Sequence, residues 1–328
     1  MPQEVTRRVF VKDSMLTGAG TVAAAGLASQ AMAADASAAT ENEALGNTPT
    51  AMPGSWTAKI GDIELSRLML GGNLIAGYAH SRDLRYVAPL MQRYNTPEKI
   101  LETLEVAEKN GINSINTCVW DDVRPLRKYW EKHGQKIKWI VAANPSPMSD
   151  KPFEQIDKAA KDGAHIIYMQ GVCADALVKQ KKFDMIKRAA EHMRGTGRPI
   201  GICAHSLDVI IACEKAKIDV DFYQKTLHTR NYPTAQKPGE TGDYGKFDNS
   251  WCRNADEVTD FMKTVKKPWI AFKVMAAGAI PPRKAFPYTI DAGADFVLAG
   301  MFDWQIAEDA QIIKKSLAKA KRTRPWRA

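Results

Sequence analysis

From Leu65 onward the 328-residue chain alternates short apolar runs with amphipathic stretches, and this alternation constrains the fold more than any other feature. The runs at Arg67–Leu70, Ser114–Thr117, Trp139–Ala142, Ile166–Met169, Ile200–Cys203, Phe222–Leu227, Ile270–Val274 and Phe296–Ala299 are four to six residues long, the length of strands rather than helices. Between them, residues 97–109, 122–133, 151–162, 179–194, 206–216, 255–265, 282–292 and 303–320 carry helical periodicity. Thr96-Pro97-Glu98 and Asn254-Ala255-Asp256-Glu257 are helix start signals. Eight strand–helix alternations with no break in composition predict an α/β chain folded as one (β/α)8 TIM barrel, with a doubly wound open sheet as the alternative.

The remaining composition narrows the field. With 45% hydrophobic and 25% charged residues, wholesale disorder, collagen-like repeats and a coiled-coil rod are excluded. Cys118, Cys173, Cys203, Cys213 and Cys252 are odd in number and form no CxxC, which argues against a disulfide framework. Much of the net charge of +9 sits at Lys314, Lys315, Lys319, Lys321, Arg322, Arg324 and Arg327. These are read as solvated cations near the negative end of a last helix, and no nucleic-acid partner is expected.

Residues 6–12, Thr-Arg-Arg-Val-Phe-Val-Lys, resemble the twin-arginine export signal. A weakly apolar, Ala- and Gly-rich stretch follows from Met15 to Ala31 and ends in Ala31-Met32-Ala33, a small-x-small cleavage pattern. It is too polar and too short for a stable membrane anchor. The expected organisation is a signal peptide over 1–33, a flexible lead-in over 34–55 and a barrel domain over 56–328. The resemblance implies a partner in the twin-arginine export machinery and a periplasmic or secreted location.

Two connections are long for a plain barrel, Asn73–Asn95 after the first strand and Thr229–Arg253 after the sixth. Both lie on the face where barrel sites occur. They carry Tyr78, Tyr86, Tyr94, Tyr232, Tyr244 and Trp251, suited either to stacking on a sugar or another flat ligand, or to covering the barrel mouth.

The segment Gly111-Ile-Asn-Ser-Ile-Asn116-Thr117-Cys118-Val-Trp-Asp121, with Leu70-Gly71-Gly72-Asn73 before it, resembles the second strand and the start of the aldo-keto reductases. The resemblance spans most of residues 60–320. It extends to exported barrels related to that superfamily, which share segments like Asp248-Asn-Ser-Trp-Cys252 and Trp269-Ile-Ala-Phe-Lys273. It implies the barrel fold and, for the reductases, an Asp, Tyr, Lys and His tetrad acting with a nicotinamide. At those positions this chain has Asn116, Asp121, Ala143 and Gln170, and Cys203 and Ala204 replace the Ser-Asn pair that holds the nicotinamide amide. Carbonyl reduction needs a phenol poised to protonate an alkoxide, and none occupies that slot. The fold expectation stands; the reductase expectation does not.

Other polar residues fall at the expected strand ends. Asp121, His205, His228 and Lys273 are candidate catalytic groups. His205 and His228, on adjacent strands, fit a divalent metal completed by Asp121, Asp248 or Cys252, an acid–base pair, or neither. A desolvated Lys273 suits a base or a Schiff-base nucleophile; the alternative is a structural ion pair with Asp121 or another inward carboxylate. His80, Arg82, Asn116, Gln170, Tyr232 and Trp251 are candidate substrate-binding residues. Gly278 and Gly300 are candidates for a phosphate-binding corner that would take FMN or NAD(P). The resulting expectation is non-redox chemistry on a carbohydrate or polyol by a lyase, isomerase, epimerase or hydrolase. An NAD(P)- or flavin-dependent oxidoreductase and a non-catalytic binding barrel are the alternatives.

Overall fold

The computed structural model describes residues 54–80, 84–240 and 244–328. The expected signal segment, nearly all of the lead-in and Arg82 lie outside the described residues. An antiparallel hairpin comes first, β1 (Thr57–Ile60) and β2 (Ile63–Ser66). Eight parallel strands follow: β3 (Leu68–Gly71), β4 (Ser114–Cys118), β5 (Lys138–Ala142), β6 (Ile166–Met169), β7 (Ile200–Ala204), β8 (Phe222–Thr226), β9 (Trp269–Phe272) and β10 (Phe296–Ala299). They pair in sequence order and close where β10 meets β3, so the domain is a (β/α)8 TIM barrel.

Strand side chains alternate between the barrel interior and the helix layer. Met69, Ile140, Tyr168, Phe222, Ile270 and Phe296 fill the interior, while Leu70, Trp139, Ile167, Ile202, Trp269 and Val297 pack outward under the helices. Both strand faces are buried, which is why the runs read as almost continuously apolar. Gly201 in β7 leaves space for the Phe222 ring, which a Cβ there would strike.

Two devices close the floor of the barrel. Ile60 and Leu65 of the hairpin join the interior cluster. Arg324 and Arg322 converge on Asp295, with Nη1 of Arg324 2.6 Å and Nη2 of Arg322 3.2 Å from its carboxylate oxygens. Trp326 stacks between Arg322 and Arg67. Lys314, Lys315, Lys319 and Lys321 are exposed as expected, but the solvated reading fails for Arg324 and Arg322: Arg324 and Asp295 are fully buried, because their charges neutralise one another and the guanidinium also donates to backbone carbonyls.

Helix boundaries follow the sequence signals closely at Pro97–Lys109, where Thr96 accepts from the Lys99 N–H, and at Ala255–Thr264, where Asn254 accepts from that of Glu257. The expectation missed a helix at Gly171–Lys179. The first long connection contains helices at Gly72–Ala76 and Val87–Tyr94. Among its described residues the second is irregular but internally bonded. Tyr232 donates to the Asn249 carbonyl at 2.7 Å, and the Gln236 N–H donates to Ser250 Oγ at 2.9 Å.

Candidate active site

The mouth of the barrel gathers groups from four segments: the loop after β3 (His80), the ends of β7 (His205) and β9 (Lys273), and the connection after β8 (Asp248, Trp251). Alternation would point Lys273 outward, since its neighbour Phe272 faces the interior. Instead Lys273 is left-handed, with φ 56°, and its amine reaches the mouth. Asp248 is also left-handed, at φ 46°. Non-glycine residues in this region are uncommon and cluster where geometry is functionally constrained.

The Lys273 Nζ lies 2.8 Å from His80 Nε2, and His80 Nδ1 lies 2.9 Å from Asp248 Oδ2. His80 Nε2 accepts from the amine, so Nδ1 carries the proton and donates to Asp248. The amine also stands 3.8 Å over the Trp251 ring. Among the described residues, no carboxylate forms an ion pair with Lys273. Burial lowers its pKa from 10.5 to about 8, with Asp248 opposing the shift. His80 is lowered by burial and then by Lys273.

A second imidazole–carboxylate pair sits nearby. His205 Nδ1 is 2.8 Å from Asp175 Oδ2, and Asp175 also accepts the backbone N–H groups of His205 and Ser206. Gly171 fits the ring closely: a Cβ there would come within 3.1 Å of His205 Nδ1 and Cys203 Sγ. Burial lowers the His205 pKa, while Asp175 opposes this. Asp175 escaped sequence reasoning because it lies on the unassigned helix Gly171–Lys179.

His228 does not join this group. Its Nδ1 bonds to the Thr229 carbonyl, and its Nε2 accepts the N–H groups of Trp251 and Cys252, each at 3.0 Å. No lone pair is left for a metal or a substrate. Burial lowers its pKa to about 4, which keeps it neutral as this acceptor role requires. His228 therefore staples the returning loop and sets Trp251 against the amine. The expected metal set of His205, His228, Asp248 and Cys252 is not assembled: no cluster of three or more such donors exists among the described residues, and Asp248 is bonded to His80 instead.

Other expected ligand contacts also need correction. Asn116 accepts from Tyr168 Oη at 2.7 Å and donates to Gln224 at 3.1 Å, deep in the barrel interior. Tyr232 is buried with its hydroxyl bonded inside its own loop, and Trp251 is buried against Lys273. Gln170 remains at the mouth, bonded to Asn144. Asp121 accepts from Tyr78 Oη at 3.0 Å and from the Cys118 N–H at 2.7 Å, and burial raises its pKa. It forms no ion pair with Lys273, whose hydrogen-bond partner is His80. Tyr78 does bring a phenol beside the Asp121 position, but burial and Asp121 raise its pKa, the reverse of what a proton-donating tyrosine needs.

The phosphate corner expected for a nicotinamide or flavin does not fit at Gly300. The side chain of Leu74 fills the space beside it, 3.0 Å from where a Cβ would stand. The first turn of the helix Asp303–Ala318 carries the Asp303 carboxylate, and Gln305 accepts the Phe302 N–H. Asp303 is itself paired with Lys99 at 3.2 Å and accepts from Tyr94, so that terminus is already occupied by a carboxylate and its partners. Gly278 is exposed, with open space around it.

The sequence matches no protein-family model and no curated protein. Solved structures resemble it in shape. Gox0644 in its apo form is 10% identical with a TM-score of 0.50, over 81% of this chain and 94% of that one. A Gox0644 variant in complex with NADPH is also 10% identical, at TM-score 0.51 over the same shares. The aldo-keto reductase AKR11C1 from Bacillus halodurans is 13% identical at TM-score 0.49, over 83% of this chain and 99% of that one. At these identities the likeness is one of fold: this chain shares the barrel architecture of Gox0644.

Proposed function

We propose that this protein is an enzyme that removes and returns a proton at the carbon next to a carbonyl of a small polyhydroxylated molecule, with the Lys273 amine as the reacting group. The observation that carries this is the 2.8 Å contact from Lys273 Nζ to His80 Nε2, in an amine that has no carboxylate ion pair among the described residues. A lysine that is desolvated and backed by an imidazole, rather than tied to backbone and hydroxyl oxygens as Lys225 is, has a usable neutral fraction near neutral pH. Sugar lyases, isomerases and epimerases share this first proton transfer. Asp121, Gln170 and Asn144 offer hydrogen bonds to hydroxyls at the mouth, and the exposed Tyr78 and Trp120 rings offer stacking surface. The address pattern at residues 6–12 would put the activity in the periplasm or outside the cell.

The test is solvent exchange. The protein is incubated in deuterium oxide with dihydroxyacetone, fructose, xylose and glucuronate, and proton NMR follows deuterium entering the carbon beside the carbonyl. Exchange with the wild type and none with Lys273→Met is the expected result. Binding of a sugar without exchange would replace the enzyme by a ligand-binding barrel.

A further inference from the structure

We infer that the Lys273 amine acts as a nucleophile that forms an imine with the substrate carbonyl, and that two carboxylate-backed imidazoles divide the proton transfers around it. This rests on the reading above that the reaction runs at a carbonyl.

Two lysines near the mouth are placed for different tasks. Lys225 is 1% exposed, and its Nζ is tied to the carbonyl and hydroxyl of Thr226, out of reach of any ligand. Lys273 is only half-buried, and its hydrogen-bond partner is an imidazole nitrogen. An imidazole can take a proton from an attacking amine, which a backbone carbonyl cannot. The left-handed backbone at Lys273 brings the amine to the opening rather than into the helix layer.

The imidazoles are set up for complementary steps. His80 faces the amine through Nε2 and is held from behind by Asp248. His205 is held from behind by Asp175, and its Nε2 has no hydrogen-bond partner among the described residues. With Nδ1 donating to Asp175, that Nε2 presents a lone pair. Asp175 holds the ring edge, and Gly171, Phe272 and Tyr244 pack around it.

The neutral Lys273 nitrogen attacks the carbonyl carbon, a C–N bond forms and the carbonyl π pair moves onto oxygen. His80 Nε2 takes the proton shed by nitrogen and delivers it to that oxygen, giving a carbinolamine. A further proton relayed through His80 accompanies cleavage of the C–O bond, and water leaves as the iminium forms. His205 Nε2 removes the proton from the adjacent carbon, and that electron pair flows into the iminium to give an enamine. The reverse order, with water returning, regenerates the free amine. No oxidant or reductant enters. In this scheme His80 and His205 are catalytic residues, and Asp248 and Asp175 are positioning residues.

The test traps the imine. The protein is incubated with pyruvate, dihydroxyacetone and glyceraldehyde in turn, each with sodium borohydride, and measured by intact mass spectrometry and peptide mapping. Reduction of an imine adds the probe's mass less one oxygen. A single adduct on Lys273, absent from Lys273→Met, supports the inference. No adduct with any probe, or adducts spread evenly over surface lysines, overturns it. Running solvent exchange on the same preparation separates the two claims. Exchange without an adduct overturns the imine and leaves Lys273 as a base; neither exchange nor adduct overturns the proposed function as well.

Discussion

Replacing Lys273 by Met should stabilise this protein at neutral pH, and the size of the gain can be worked from the site. Burial lowers the amine's pKa from 10.5 to about 8. At about 1.4 kcal/mol for each tenfold, this is about 3 kcal/mol against holding the ammonium in the fold. The face of Trp251, 3.8 Å from Nζ, returns about 1–2 kcal/mol of that as a cation–π contact. A net penalty of about 1–2 kcal/mol remains, and Met, similar in length and uncharged, relieves it. The left-handed backbone strain is common to both chains and cancels. The sign in pH follows from linkage. The folded chain releases this proton before the unfolded chain does, so wild-type stability rises by about 3 kcal/mol relative to the variant between about pH 8 and 10.5, and the advantage of Met is lost within that window. Urea unfolding followed by tryptophan fluorescence, for both chains at a series of pH values, measures the difference. A constant difference across the window, or a variant less stable than wild type at neutral pH, would refute the claim that the amine is desolvated.

Three further outcomes are expected. Asp175→Asn should lower the His205 pKa further, since the carboxylate favours the protonated ring, and should loosen the Nδ1–H tautomer; nitrogen-detected NMR of the imidazole checks both. Gly201→Ala should cost about 1–3 kcal/mol of stability, read by urea titration, because the new methyl meets the Phe222 ring inside a filled barrel. Asp295→Ala should cost about 3–5 kcal/mol, seen as a large fall in melting temperature, because it strands the buried guanidiniums of Arg324 and Arg322.

The barrel was legible because strands buried on both faces leave unbroken apolar runs, and all eight stand within a residue or two of where the pattern puts them. The floor hairpin was not recognised, although Gly61-Asp62 between Ile60 and Ile63 is a two-residue turn signal; its four-residue strands are too short for periodicity to show. Within the site, Lys273 and His205 could be picked as polar residues at strand ends. Alternation could not reveal that a left-handed residue would carry Lys273 to the mouth. Nor could spacing show that His228 spends both ring nitrogens on its own loop, or that Asp248 would meet His80, 168 positions away.

The closed floor has a kinetic consequence. The hairpin residues Ile60 and Leu65 and the buried Arg324–Asp295 pair plug one end of the barrel, so traffic passes through the mouth alone. On the proposed function, reactant and product would queue at one doorway. A molecule that has reacted must vacate before the next arrives, and a reaction that splits its substrate discharges the fragments one after the other, the outer first. The fragment lodged deepest, the last to leave, should therefore inhibit in direct competition with substrate, and the outer fragment should not.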